Sequence, residues 1–372
     1  MQKPLDSGVA IGSDVTASAV AKLAHDSIRR SGATRGEPLI RDGQPYRQIG
    51  PRYGAPVAAL DLGTNNCRLL VARRAGMAIR IVDAFSRIVR LGEGLLATGA
   101  LSEEAVERTI DALKICADKI AFRRIAGGRY VATEACRRAT NCHEFLARVR
   151  RETGLDIEII STAEEARLVV TGCAPLLNPR IPYALVFDIG GGSTEIVLVR
   201  LEGGNDRHRR RSHIIGSMSL PLGVVTLTDR FGGEVSPATY RRMVNEAAAA
   251  LDPFERDYRI RRHIRTGRMQ MLGSSGTVTT LAGIHLALPR YVRALVDGSS
   301  LTFDQIAAVS THLAGLDLAG RAASPCVGRE RADLVLSGCA ILDAICETWP
   351  VGRLRVADRG VWEGILFDLI HG

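Results

Sequence analysis

The chain has 372 residues, a net charge of +9, 46% apolar residues and 24% charged residues. This composition supplies a large core and excludes wholesale disorder. No apolar run approaches the ~20 residues that cross a bilayer, so no membrane partner is expected. The basic excess suits a polyanionic partner but identifies none.

The eight cysteines form no Cys-x-x-Cys pair and follow no secretory leader, which reads as reduced thiols in a cytoplasmic protein. Cys136, Cys142 and His143 would need a fourth ligand at a recognisable spacing to make a zinc site, and none is present.

Residues 1–52 are rich in Ser, Ala, Gly and Arg, with one weak helical stretch at Val15–Ile28, and read as a flexible tail. Their scattered acids argue against a transit peptide. Strands are expected at Val57–Leu62 and Cys67–Ala72, and then at Ile79–Phe85 and Arg87–Leu91, as a meander. Ser102 opens a helix whose Val106, Ile110, Leu113, Ala117 and Ile120 form one apolar stripe. Arg129–Ala132 is a further strand, leading to Thr133 and the pair Arg137–Arg138.

After the strand Ile157–Ile160, Ser161 stands at capping-box spacing from Glu164, which gives Glu164 a structural task. Glu165 has no such task, and a carboxylate left over there can deprotonate a water. Arg137 is the candidate guanidinium for a transferring phosphoryl group.

The most informative feature is an internal repeat. Asp61-Leu-Gly-Thr-Asn-Asn and the strand after it lie over Asp188-Ile-Gly-Gly-Gly-Ser and its strand at one constant offset, 188 against 61 and 200 against 73. A strand–turn–strand device used twice implies two related halves facing one another. In the second turn Gly190, Gly191 and Gly192 let backbone amides approach a ligand, and Ser193 and Thr194 add hydroxyls. Asp188 and Glu195 bracket that anion cradle, a combination that makes sense with a hard cation such as Mg²⁺ between the charges.

A third small-residue turn, Gly273-Ser274-Ser275-Gly276-Thr277, precedes the helical run Val278–Leu288 and offers an anion-binding helix start. There is no Gly-Lys dipeptide and hence no Walker A loop, and Gly92-Glu-Gly94 follows a meander rather than opening a βαβ unit. Arg207–Arg211 reads as a solvated hairpin tip.

Together the Asp61 turn, Ala132-Thr-Glu-Ala-Cys-Arg137, Ser161-Thr-Ala-Glu-Glu165-Ala-Arg, the Asp188 turn and the Gly273 turn resemble the exopolyphosphatase / guanosine pentaphosphate phosphatase family. The resemblance runs from about Val57 to the C-terminus. It implies an α/β, duplicated ribonuclease H-like fold of the actin/Hsp70/sugar kinase superfamily, two lobes with a cleft between them. It also implies Mg²⁺-dependent release of terminal phosphate from polyphosphate or guanosine pentaphosphate, with a monovalent cation such as K⁺ as a second candidate ion.

On that resemblance the catalytic residues are Glu165 and Arg137, the metal residues Asp61, Asp188 and Glu195, and the phosphate residues those of the three turns, Gly63, Thr64 and Asn65 in the first. The chain resembles the short, two-domain members, with 1–52 as tail, 53–160 plus 354–372 as lobe I and 161–353 as lobe II. The final helix Val361–Ile370 is expected on lobe I. A homodimer is a candidate assembly, and no specific nucleic acid is expected. Rival readings on the same scaffold are an ATP-dependent small-molecule kinase and a non-catalytic sensor that binds through the tail and Arg207–Arg211.

Overall fold

The computed structural model describes residues 54–371 apart from 77, 203–210 and 233–234. The tail with its Val15–Ile28 stretch lies outside the described residues, and so does the run from Arg207, save the backbone of Arg211. Two sheets carry the fold. The first is built from β1 (Val57–Leu62), β2 (Asn66–Ala75), β3 (Ala78–Ile88), β4 (Gly127–Ala132) and β5 (Glu158–Ile159), in the spatial order β3-β2-β1-β4-β5. The second holds β6 (Tyr183–Ile189), β7 (Thr194–Glu202), β8 (Arg211–Leu220), β9 (Met269–Ser275), β10 (Ser300–Thr302) and β11 (Arg353–Ala357), in the order β10-β11-β9-β6-β7-β8.

Each sheet begins with three antiparallel strands and continues with two strands parallel to the first, and in the second sheet β10 then pairs antiparallel with β11. The order β8-β7-β6-β9-β11 therefore repeats β3-β2-β1-β4-β5, with β10 added at the edge. The same strand–turn–strand sheet is thus used twice, as a duplicated ribonuclease H-like fold requires.

The strands read as near-continuous apolar runs because both of their faces are covered. In β6, Leu185 and Phe187 enter one core while Ala184 and Val186 enter another. In β1, Leu60 and Leu62 point one way and Ala59 the other. The outer face of the first sheet packs on the helix Glu103–Arg123 through Val106, Ile110 and Leu113, and Ser102 caps that helix by accepting from the Ala105 amide. The outer face of the second packs on the helices Pro237–Tyr258 and Val335–Thr348. The inner faces share one core, filled by the helices Thr162–Cys173 and Val361–His371.

Two expectations shift. Ile79–Phe85 and Arg87–Leu91 are not separate strands: β3 runs unbroken to Ile88 because β2 pairs with it continuously to Asn66, absorbing one irregularity between Val71 and Ala72. Leu354–Ala357 does not return to the first sheet, since β11 pairs with β9 and β10 in the second. The return is made by the last helix, which packs against β1 and β2. No helix among the described residues is long and apolar enough to cross a membrane.

The two inner helices touch backbone to backbone. A methyl on Gly364 would land on the Leu168 carbonyl, and one on Gly172 on the Gly360 carbonyl. Gly364→Ala is therefore expected to destabilise the protein by ~1–3 kcal/mol, the usual cost of overpacking, measured as a fall in the denaturant midpoint at unchanged slope.

Candidate active site

The duplication delivers two turns to one place. In the first, the Gly63 amide donates to the Asn66 carbonyl at 2.9 Å; in the second, the Gly190 amide donates to the Ser193 carbonyl at 2.9 Å. The turns lie against each other. A methyl on Gly191 would stand 2.9 Å from the Asn65 nitrogen, and one on Gly192 2.6 Å from Thr64 Oγ1. Glycine is needed here for close approach, not for a positive φ.

Both turns, Glu165, and Ser275, Gly276 and Thr277 at the start of the helix Gly276–His285 line a single cavity of about 120 Å³. The amides of Thr64, Asn65, Gly191 and Gly192 donate no backbone hydrogen bond among the described residues, so the cavity wall is rich in free N–H groups. A helix start joins them, and such a set of dipoles suits phosphate oxygens.

Asp61 and Asp188 occupy matching positions. Asp61 faces Arg68 across the β1–β2 pair, and Asp188 faces Glu195 across β6–β7, so the duplicated devices carry opposite charges at equivalent sites. Burial raises the Asp61 carboxyl to about 6 against the pull of Arg68. Burial likewise raises Asp188 to about 7, with Glu165 and Asp61 adding like charge. Glu195 accepts from the Ser193 and Ser219 hydroxyls at 2.7 and 2.9 Å, yet burial still drives its carboxyl well above the ordinary range.

Glu165 sits at the start of the helix Thr162–Cys173 and is buried. Its Oε2 accepts from Arg137 Nη1 at 2.7 Å, and the same guanidinium donates to Glu134 and to the Ile160 carbonyl. Burial lifts Glu165 to about 7, and Arg137 opposes the lift. Arg137 therefore stands behind Glu165 rather than in the cavity wall, a different place from the substrate contact expected for it. Glu164 also differs from expectation. Ser161 does accept from the Glu164 amide, but the Glu164 carboxylate pairs with Arg129 and Arg167, which pull it down to about 2.

Three residues of the expected phosphate set do not line the cavity. Thr194 donates to the Leu222 carbonyl, Ser274 donates to the Arg359 carbonyl, and Gly273 lies under the Phe187 ring. Conversely, Asn66, Arg68, Thr133 and Arg331 line it without having been singled out. The signal for Arg68 is the repeat itself, which sets it over Glu195.

Among the described residues no three His, Cys, Asp or Glu side chains stand close enough to hold an ion alone. The donors nevertheless suit Mg²⁺. Asp61 and Asp188 offer hard carboxylate oxygens, and Asn65 and Asn66 each have a buried Oδ1 with no hydrogen-bond partner among the described residues. Mg²⁺ needs only one or two carboxylates and completes its shell with water and substrate phosphates.

A carboxyl whose folded pKa exceeds its unfolded one holds its proton more tightly when folded. The stability it brings is present below about pH 4 and is lost as the pH climbs to about 7. Asp188→Asn is thus expected to stabilise the divalent-free protein at pH 8, by roughly 2 kcal/mol once the opening onto the cavity is allowed for, and to do little at pH 4. Thermal melts of both proteins at the two pH values measure this.

Comparison with known proteins gives the same constellation a lineage. The chain is 34% identical over 315 residues to a guanosine-5'-triphosphate,3'-diphosphate pyrophosphatase of Aeromonas hydrophila, covering 84% of this chain and 59% of that protein. It therefore spans about six-tenths of that relative's length. To exopolyphosphatase 2 of Mycobacterium tuberculosis it is 31% identical over 335 residues, covering 84% of this chain and 98% of the other. Among solved structures it is similar to the Aquifex aeolicus PPX-GPPA enzyme, at 30% identity and a TM-score of 0.68, covering 85% and 99% of the two chains. Residues 70–372 match the model of the Ppx/GppA phosphatase family, and with the duplicated sheets and their meeting turns this establishes that the chain belongs to that family.

Proposed function

We propose that the protein is a Mg²⁺-dependent phosphohydrolase that releases terminal orthophosphate from a phosphoanhydride chain, inorganic polyphosphate or guanosine pentaphosphate. The observation that carries this reading is a glutamate with one oxygen tied and the other left over, set beside free amides from two facing turns. Its relatives' names, pyrophosphatase and exopolyphosphatase, support the same class of substrate.

The terminal phosphoryl group lies against the amides of Thr64, Asn65, Gly191 and Gly192, which hold its non-bridging oxygens where charge builds in the transition state. Glu165 Oε1 orients a water in line with the phosphorus and accepts its proton, while Arg137 fixes Oε2 and so sets the direction of Oε1. Asp61 and Asp188, with the Asn65 and Asn66 carbonyl oxygens nearby, would hold the Mg²⁺. Bound there, the ion would offset charge on the phosphate oxygens and the departing chain.

Glu165→Gln is expected to cut turnover of polyphosphate by ~10²-fold or more while substrate still binds. Equal turnover in the variant would remove Glu165 as the base. The pH–rate profile should rise through about pH 7, because only the ionised carboxylate accepts a proton. Arg137→Gln removes a charge that favours the ionised form, so that limb should move to higher pH. A limb that stays in place would show that Arg137 does not act through Glu165.

A further inference from the structure

The hydrogen bonds behind Glu165 form a chain that ends on Glu134, the first residue of the short helix Glu134–Arg138. Arg137 donates from Nε and Nη2 to Glu134 Oε2, at 3.2 and 3.0 Å, along one edge of its guanidinium. From Nη1 it donates to Glu165 Oε2 at 2.7 Å and to the Ile160 carbonyl at 3.0 Å. Four of the five N–H groups of the guanidinium are thus placed. The two bonds from Nη1 alone would let the planar group swing about that nitrogen, and the pair to Glu134 on the opposite edge stops the swing.

Glu134 touches the other half of the site as well. A methyl on Gly192 would stand 3.1 Å from Glu134 Cγ, so the stem of this side chain lies under the second turn. Its carboxylate does not line the cavity. Nor does its charge help Glu165 to ionise. Burial is the main cause that raises the Glu165 carboxyl, Arg137 opposes it, and the like charge of Glu134 adds to the rise. Glu134 also shares the one guanidinium that bonds Glu165. What an acid in this place supplies is therefore not charge but the direction of Arg137.

Resting on the phosphohydrolase reading, we propose that Glu134 is a positioning residue for the hydrolysis. It clamps the far edge of the Arg137 guanidinium, and the near edge then holds Glu165 at one angle to the attacking water. Because its stem also lies under Gly192, the base and the phosphate-facing turn are set against a single side chain. A base turned away from the line of attack loses rate without loosening the substrate.

The test uses the full chain and whichever of tripolyphosphate, long polyphosphate and guanosine pentaphosphate it turns over fastest. Glu134→Ala should cut kcat at least about tenfold and move KM less than about threefold, the pattern of a loss confined to the transition state. Arg137 keeps Glu165 as its counter-charge in that variant, so no buried charge is left unpaired. Glu134→Gln retains an oxygen for Arg137 and the stem under Gly192, and should recover most of the loss. Combined with Arg137→Gln, Glu134→Ala should lower kcat little further than Arg137→Gln alone, since Glu134 acts through Arg137. Unchanged kcat in Glu134→Ala, equal losses in the two Glu134 variants, or losses that multiply in the double variant would overturn the proposal. If the wild type released phosphate from none of the three substrates, the phosphohydrolase reading would fall instead. A crystal structure of Glu134→Ala would then decide the clamp separately: Arg137 swung away from Glu165 supports it, and an unmoved Arg137–Glu165 bond ends it.

Discussion

The site depends on how closely two backbone turns approach. Gly191 and Gly192 lie so near Thr64 and Asn65 that a single methyl at either glycine would press the turns apart. Each turn is stiffened by its own amide-to-carbonyl bond, and each is the loop between the first two strands of a sheet. Moving one turn therefore means moving a sheet. This is why free amides from opposite halves of the chain can be kept on one small cavity.

Charge follows from the same approach. The meeting of the turns crowds Asp61, Asp188, Glu165 and Glu195, and burial raises every one of these carboxyls. Arg68 and Arg137 are the arginines set against them, and Arg137 is shared with Glu134. An acid cluster so lightly compensated favours a divalent cation, and its amide-lined wall favours an anion. The two demands are reconciled when both arrive together, as a metal phosphate does.

Much of this was legible in the sequence because the duplication left its trace in residue types. The Asp–turn–strand pattern at Asp61 recurs at Asp188, and the two-halved fold follows from that spacing. What the sequence does not carry is the choice of tertiary partner. Nothing local says that Arg137 will reach Glu165, 28 residues on, rather than the ligand. Arg331 comes from a segment with no motif, placed by its tie to Arg90. Glu164 stands at capping spacing, but two arginines reach it first. The placement of β11 was hidden as well, since the alternation in Arg-Leu-Arg-Val-Ala marks a strand without saying which sheet it joins.

The inner core has a consequence for how the molecule comes apart. Ala59, Leu70 and Val131 from the first sheet and Val186, Val197 and Leu272 from the second share one body of hydrocarbon with the two glycine-notched helices. Melting either half would strip the cover from the other, so the halves are bound into a single cooperative unit rather than two beads on a string. Whatever swing the lobes make must be small enough to leave that common interior dry.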